Sequence, residues 1–202
     1  SANPNTPVVS ARGSPGETVL FFDGFDDNRH NWPVGTSDYV DGIIANGRQT
    51  IDLRTDVYHR TMLGTAIAPQ IDQTKDFMIE TSLTFLSGND YYPFGINWGM
   101  KDLNQNSFEF NIARGNFMHA KIVAGQYVNI ITWTAHSAVK TGAGATNKLT
   151  IRKRGTKLEL SVNDTLVATR DYEPYTAPAS IGFNIGFKKK IEIDFLKVVQ
   201  FK

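Results

Sequence analysis

The sequence predicts an all-β protein of packed antiparallel sheets, on the evidence of alternation and of turn residues. Apolar and polar residues alternate through much of the chain, most clearly between Asn147 and Arg170. Alternation at every second position sets one face of an extended strand against a core and the other in water. Residues that tolerate tight turns, such as Gly155 and the pair Asn163 and Asp164, interrupt these segments. No segment shows convincing helical spacing, so we expect an antiparallel β-sandwich.

The order of the elements follows from the same two signals. Residues 1–16 hold three Pro and two Gly with little to bury, which is typical of a flexible tail or linker. We therefore expect a tail over residues 1–16 and one β-sandwich domain over residues 17–202. The predicted strands cover residues 17–23, 39–45, 49–55, 61–68, 77–86, 92–98, 107–113, 117–123, 127–134, 149–154, 157–163, 166–170, 180–187 and 191–199.

Composition and charge exclude several classes of function. The 202 residues contain no cysteine, which removes disulfide scaffolds, thiol nucleophiles and thiolate zinc sites. The 21 basic and 20 acidic residues leave a net charge of +1, so we expect no nucleic-acid partner. No apolar run approaches the roughly 18 residues that a membrane span needs, and we expect no membrane insertion. The compartment is left open, with a preference for the extracellular space or the cell envelope.

Several short motifs follow one another in a distinctive order. They are Phe22–Asn28 with Asn31 and Trp32, Ile44–Gly47, Asp76–Glu80, Phe94–Asp102, Asn147–Ile151, Val162–Asp164, Ile181–Phe183 and Ile193–Val198. From Leu20 to the last residue this series resembles the concanavalin A-like jelly rolls related to laminin G domains, especially the bacterial version found as an accessory module. The resemblance implies a concanavalin A-like jelly roll, a fold that hosts lectins, glycanases and protein-binding modules. Asp164 stands where the pattern usually has Gly, which changes only the hairpin.

A candidate binding face follows from the parity of the central strands. One parity is apolar and predicts the core: Phe77, Ile79, Leu83, Phe85, Phe94, Ile96, Trp98, Phe108, Phe110 and Ile112. The other parity includes polar residues that form one surface if their strands are neighbours: Glu80, Asn97, Glu109, Asn111, His119 and Lys121. Such a surface suits hydroxyl-rich ligands, and Trp32, Tyr91 and Tyr92 in adjoining loops are placed to stack on a sugar ring. An ordinary solvated sheet face has the same pattern, so both interpretations stay open.

An acidic turn is the one candidate metal site. Asp23, Asp26 and Asp27, with Asp194 from the last predicted strand, supply the oxygen ligands that a structural Ca²⁺ prefers. The spacing is not that of an EF-hand, and a turn that caps and solvates a strand end explains the same residues. We expect no other cofactor.

One run resembles a catalytic motif. Glu192 and Asp194 match the start of the Glu-x-Asp-x-x-Glu pattern of laminarinase-type glycoside hydrolases, but Lys197 replaces the last Glu. The basic runs Arg152–Arg154 and Lys188–Lys190 alternate between two strand faces, which favours solvated turns and sheet edges over a nucleic-acid site.

The leading hypothesis is therefore a non-catalytic recognition module that binds carbohydrate through the polar sheet face and adjoining loops. A protein-interaction or structural accessory domain of a larger bacterial protein is the first alternative. A glycoside-processing enzyme that uses Glu80 and Glu109 is the second alternative.

Overall fold

The protein is built of β-strands throughout the part that the structure describes. The computed structural model describes residues 12–56, 59–62, 69–102 and 105–202. Its strands are β1 Glu17–Asp23, β2 Gly35–Thr36, β3 Val40–Ala45, β4 Arg48–Leu53, β5 His59–Met62, β6 Phe77–Gly88, β7 Phe94–Met100, β8 Asn106–Ala113, β9 Asn116–Val123, β10 Gln126–Ala135, β11 Thr146–Arg154, β12 Lys157–Val162, β13 Thr165–Asp171, β14 Ser180–Ile185 and β15 Lys189–Phe201. The all-β prediction is confirmed. The described segments include no helix long and apolar enough to cross a membrane.

Two parts of the predicted element order fall outside the described residues. Residues 1–11 of the expected tail lie there, so the tail stays a prediction, although β1 begins at Glu17 as expected. Residues 63–68, the greater part of a predicted strand, also lie there, and β5 is His59–Met62. The two-residue strand β2 had no alternation to reveal it.

The strands form two antiparallel sheets. The nine-stranded sheet has the order β13-β12-β11-β6-β15-β4-β3-β2, with β1 also paired to β15. The six-stranded sheet has the order β10-β9-β8-β7-β14-β5. Strand β15 runs along β6 on one side, while β4 and β1 share its other side. This arrangement confirms the predicted sandwich.

The core lies between the two sheets and has the predicted composition. Phe77, Ile79 and Leu83 of the nine-stranded sheet are fully buried, as are Ile96 and Phe110 of the six-stranded sheet. Burying a side chain of this size contributes about 1.5–3 kcal/mol. The apolar parity of the central strands is therefore the core face of each sheet.

Two-residue turns fix the register of the six-stranded sheet. Arg114 and Gly115 join β8 to β9 with φ values of 48° and 75°, the two positive angles of a type I′ turn. Glycine takes the second position at no steric cost. The turn places Ile112 opposite Phe117, and this pairing decides which face each later residue of β9 occupies.

Candidate functional site

The outer face of the six-stranded sheet carries a group of polar side chains. The strand register pairs Asn97 with Glu109, and it pairs Gly95 with Asn111. On the other side of Gly95 its partner is Asn184, which in turn pairs with Arg60. Directly opposed residues of antiparallel strands point to the same face. Five polar residues that share this face are named here the polar cluster: Arg60, Asn97, Glu109, Asn111 and Asn184.

A buried ion pair organises the polar cluster. Arg60 Nη2 lies 2.5 Å from Glu109 Oε1, and the two side chains are 12% and 0% exposed. Asn111 Nδ2 donates to the other carboxylate oxygen of Glu109 at 3.0 Å. Each oxygen of Glu109 thus has a donor, which a buried carboxylate requires, because an unpaired buried charge costs several kcal/mol.

The three asparagines of the polar cluster retain unused hydrogen-bonding groups. Asn97, Asn111 and Asn184 are all 0% exposed. Among the described residues, neither amide atom of Asn97 or Asn184 has a hydrogen-bond partner, and neither does Asn111 Oδ1. An unsatisfied buried polar group costs about 1–3 kcal/mol, and native proteins keep few of them. The polar cluster therefore holds donors and acceptors that the described part of the fold does not use.

An open cleft adjoins the polar cluster. Its volume is about 520 Å³ and its lining is Tyr91, Tyr92, Pro93, Ala113, Arg114, Asn116, Tyr127 and Trp133. We call it the aromatic cleft. Tyr91, Tyr127 and Trp133 are 64%, 50% and 45% exposed, so three large aromatic side chains face solvent together. The Arg114 guanidinium lies 5.6 Å from the centre of the Tyr91 ring. This grouping offers flat apolar surfaces beside a cation.

Tyr127 and Met118 connect the aromatic cleft to the polar cluster. The hydroxyl of Tyr127 lies 3.5 Å from Met118 Sδ, and Asn111 Nδ2 lies 3.6 Å from the same sulfur. Burial of its hydroxyl end, with the negative charge of Glu109, raises the pKa of Tyr127. Tyr127 is therefore a neutral phenol with one edge in the cleft and its hydroxyl towards the cluster.

Buried contacts fix the wall of the cleft formed by Tyr91 and Tyr92. Lys189 Nζ donates to the backbone oxygen of Tyr92. The Tyr92 ring packs edge-on against Phe187 with 4.4 Å between ring centres. The cleft wall is thus tied to the start of β15.

The structure brings together only part of the predicted binding surface. Tyr91 and Tyr92 line the aromatic cleft, and Asn97, Glu109 and Asn111 lie in the polar cluster. The expectation that Glu80 shares their face is wrong, because β6 belongs to the nine-stranded sheet. There Glu80 accepts a hydrogen bond from Thr150 Oγ1 at 3.1 Å and lies 3.8 Å from Lys148 Nζ.

Two further predicted binding residues, His119 and Lys121, point away from the polar cluster. His119 pairs with Phe110 and therefore points to the core side, where its ring stacks on Trp98 at 5.5 Å. Burial lowers the pKa of His119, and its Nδ1 donates to the Glu109 backbone oxygen. Lys121 shares the parity of His119 and pairs with Glu173 at 2.7 Å. Assigning His119 and Lys121 to the polar face was wrong, because the turn after β8 sets the opposite parity.

Trp32 is a core residue and not an exposed loop aromatic. It is 2% exposed, and its ring centre lies 5.5 Å from that of Phe183. Its Nε1 donates to Asp23 Oδ2 at 2.7 Å. The expected exposure of Trp32 to a ligand is therefore wrong in this structure.

The acidic turn uses its carboxylates within the protein. Asp23 accepts hydrogen bonds from the Phe25 backbone and from Trp32, and it contacts His30 Nδ1 at 2.8 Å. Arg29 holds Asp27 by hydrogen bonds that lower the pKa of this carboxyl to about 2. Asp26 is exposed in the same turn, and Asp194 lies 3.6 Å from Arg48 Nε. The described residues include no group of three acidic, His or Cys side chains set to hold a metal. Calcium binding here stays a prediction.

The run that resembles a catalytic motif lies in the nine-stranded sheet. Glu192 and Asp194 are partly exposed residues of β15, and Arg48 Nη1 lies 2.6 Å from Glu192 Oε1. The polar cluster lies on the other, six-stranded sheet, so Glu192 and Asp194 are not part of it.

Sequence reasoning missed five residues of the two neighbouring sites. They are Arg60, Arg114, Tyr127, Trp133 and Asn184. A signal existed for Asn184, because Ile181, Phe183 and Ile185 alternate around it and predict its outward position. No local pattern places Arg60 beside Glu109, which lies three strands away in the sheet.

Comparison with known proteins identifies the fold. No protein-family model matches the sequence, and no curated protein matches it significantly. Among solved structures, an endo-β-1,3-glucanase from Pyrococcus furiosus has a TM-score of 0.64 at 11% identity, over 92% of this chain and 95% of that one. The CBM2 module of the evolved Dit of Lactobacillus casei BL23 phage J-1 has a TM-score of 0.58 at 9% identity, over 92% and 96%. The carbohydrate-binding module CBM66 from Bacillus subtilis has a TM-score of 0.50 at 13% identity, over 89% and 92%.

These likenesses show that the chain has the concanavalin A-like jelly-roll fold. At such low identity they show the fold alone. The predicted fold class is thereby confirmed.

Proposed function

We propose that this protein binds carbohydrate without transforming it, and that the aromatic cleft is where a sugar ring rests. The observation that carries the proposal is the grouping of Tyr91, Tyr127 and Trp133, all about half exposed or more, around one cleft. Exposed aromatic rings supply rigid apolar surface with polar edges, which suits the apolar faces and hydroxyl rims of sugars. Two of the structures that share the fold are named as carbohydrate-binding modules, which supports the same class of ligand.

The arrangement of carboxylates favours binding over hydrolysis. Glycoside hydrolysis ordinarily needs two carboxyl groups on either side of the scissile bond. Among the residues that the structure describes, those that line the aromatic cleft include no carboxylate. Glu109, in the adjoining polar cluster, is ion-paired with Arg60, and Glu80 lies in the other sheet. An accessory role in a larger protein and an extracellular or envelope location belong to this proposal.

The first prediction concerns Trp133. We expect Trp133→Ala to weaken binding of the preferred glycan about tenfold or more. The reason is that a stacking contact that becomes buried in the complex carries a large share of the binding energy. A panel of glucans, xylans, mannans, galactans and their uronic-acid counterparts would first identify the glycan, and calorimetric titration would measure its affinity.

Fluorescence gives a second readout of the same contact. Of the three tryptophans, Trp32 and Trp98 are buried and Trp133 is 45% exposed, so a ligand-induced change in emission reports on Trp133. Tyr39→Ala is the matched control, because Tyr39 is 61% exposed and precedes β3 of the other sheet. Equal affinity of wild type and Trp133→Ala, or no binding to any glycan, would refute the proposal.

A further inference from the structure

The asparagines of the polar cluster differ from an asparagine that serves the fold. Asn147 is also buried, at 1% exposure, but all its amide groups are used. Its Oδ1 accepts from the Lys140 backbone and from Asn163 Nδ2, while its Nδ2 donates to the Lys140 oxygen. Asn97 and Asn184 are equally enclosed and have no such partner among the described residues. Within the described part of the chain, the fold gains no hydrogen bond from these two amides, which points to a role outside folding.

We propose that Asn97, Asn111 and Asn184 form an inner subsite that binds hydroxyl groups of a neutral sugar unit, continuous with the aromatic cleft. This inference rests on the proposed carbohydrate binding and adds the class of sugar. A carboxamide offers a donor and an acceptor side by side, and a hydroxyl group is both at once. Three amides on one sheet face can thus satisfy a set of hydroxyl groups without any charge on the ligand.

The ion pair in the polar cluster sets the selectivity of the subsite. Arg60 and Glu109 neutralise each other, and Asn111 occupies the second oxygen of Glu109. A ligand carboxylate in the subsite would lie next to the negative charge of Glu109, and the cation of the polar cluster, Arg60, is already paired with that charge. Arg114 lies outside the polar cluster, in the lining of the aromatic cleft. Burying an unpaired charge is strongly unfavourable. The subsite therefore selects neutral sugars over uronic acids by rejecting the charged form.

Entry to the subsite passes Tyr127. The Tyr127 hydroxyl and the Asn111 amide meet at Met118 Sδ, so these side chains form the boundary between cleft and cluster. Methionine is an adaptable side chain that repacks at low energetic cost. Asn111 is fully buried beside these side chains, so a ligand seated in the cleft reaches its amide only when Met118 and Tyr127 move.

The experiment replaces the unpartnered amides by an apolar side chain of similar volume. Asn97→Leu and Asn184→Leu are compared with Asn147→Leu, in the full chain. We expect Tm of the first two variants to be unchanged or to rise by up to about 4 °C, because each substitution removes a buried polar group without a partner. Asn147→Leu lowers Tm, because it breaks hydrogen bonds that the fold uses.

Binding is then measured with the neutral glycan that wild type prefers and with the same glycan oxidised at C6 to its uronic-acid form. We expect wild type to bind the neutral form at least about tenfold more tightly. We expect Asn97→Leu and Asn184→Leu to lose about tenfold or more in affinity for it. Both results, with Tm retained, support the subsite.

The other outcomes separate the two proposals. If Trp133→Ala weakens binding while Asn97→Leu and Asn184→Leu bind as wild type, the inner subsite is refuted and the aromatic cleft stands. A loss of Tm in these two variants like that of Asn147→Leu also refutes the subsite, since the amides then serve the fold. Equal or tighter binding of the uronic-acid form refutes the selectivity for neutral sugars. If wild type binds no glycan, the proposed function fails and the subsite with it.

Discussion

Lys189 is a buried side chain within a stretch of sequence that is typical of exposed residues. It belongs to the basic run Lys188–Lys190, for which solvated turns were the expectation, yet it is 1% exposed. Its ammonium lies 4.6 Å from the ring centre of Phe94 and 5.2 Å from that of Phe85. Burial lowers the pKa of Lys189 to about 8. The expectation was wrong for this residue, because the rings and the Tyr92 oxygen that enclose it come from distant parts of the chain.

Lys189 makes stability depend on pH. Its pKa is lower in the folded protein than in the unfolded chain, so below about pH 8 the folded state bears the full disadvantage of a buried charge. As pH rises from about 8 towards 10.5, the folded protein releases the proton first and becomes more stable. We expect this rise, on the order of 3 kcal/mol, in wild type and not in Lys189→Met.

Chemical denaturation between pH 7 and 10.5 would measure the effect. The difference between wild type and Lys189→Met isolates Lys189 from tyrosines such as Tyr172 and Tyr175, whose pKa values burial raises. Parallel stability curves for the two proteins would contradict the assignment.

At the scale of strands, sequence and structure agree on parity and differ on partners. The apolar parity of β6, β7 and β8 is the core face in each case, as alternation predicts. The face on which a residue lies within its own strand follows from local alternation, so it can be predicted from the sequence. The sheet to which a strand belongs depends on pairing with distant segments. The chain crosses from one sheet to the other between β6 and β7, and this crossing removed Glu80 from the predicted site.

The pairing of β8 with β9 shows that even strands adjacent in sequence cannot be assigned a face without their register. The strands themselves were predicted, but a face was assigned to His119 without the register of the turn. Once Ile112 pairs with Phe117, His119 must face the core. The polar residues predicted on β7 and β8 were brought together because these two strands are direct neighbours.

Gly95 tests how tightly the middle of β7 is packed. A Cβ atom at this position would lie 2.6 Å from Asn111 Oδ1 and would also overlap the backbone oxygen of Phe110. We expect Gly95→Ala to lower the free energy of unfolding by about 1–3 kcal/mol, because the neighbouring strand must shift. Displacing Asn111 should also weaken glycan binding.

Urea denaturation and calorimetric titration would measure both effects. Gly24→Ala is the control, since the nearest atom to a Cβ there is 3.4 Å away, and a change within about 0.5 kcal/mol is expected. A Gly95→Ala protein as stable as wild type would show that β7 and β8 are less constrained than their geometry indicates.

The whole molecule is closed by its first and last strands. Glu17 pairs with Phe201 and Asp23 with Leu196, so β1 lies along the second half of β15. The backbone of Lys202 donates to the Gly16 oxygen at 3.0 Å. Segments far apart in sequence therefore meet in the nine-stranded sheet, and folding must bring residues 17–23 together with residues 196–201. Such non-local pairing is typical of β-sandwiches that fold in milliseconds to seconds.

A circular permutant tests whether β1 and β15 still pair when they are joined directly and the chain is opened elsewhere. A short linker would join residue 202 to residue 17, with new ends in the exposed turn of residues 141–144. We expect the permutant to fold with a Tm within a few degrees of wild type and to bind the same glycan, because each strand pair is kept. A second permutant, opened at the fully buried Leu196, is expected not to fold. Failure of the first permutant to fold would contradict the expectation.

The neighbouring positions of Glu17 and Phe201 have a consequence for how this domain combines with others. Paired strands lie about 5 Å apart, so entry and exit points of the domain occupy nearly one spot. A host protein can receive the whole domain within a surface loop and continue its own fold without spreading that loop. The strands beside the aromatic cleft belong to the other sheet, so an insertion at these two ends leaves their pairing intact.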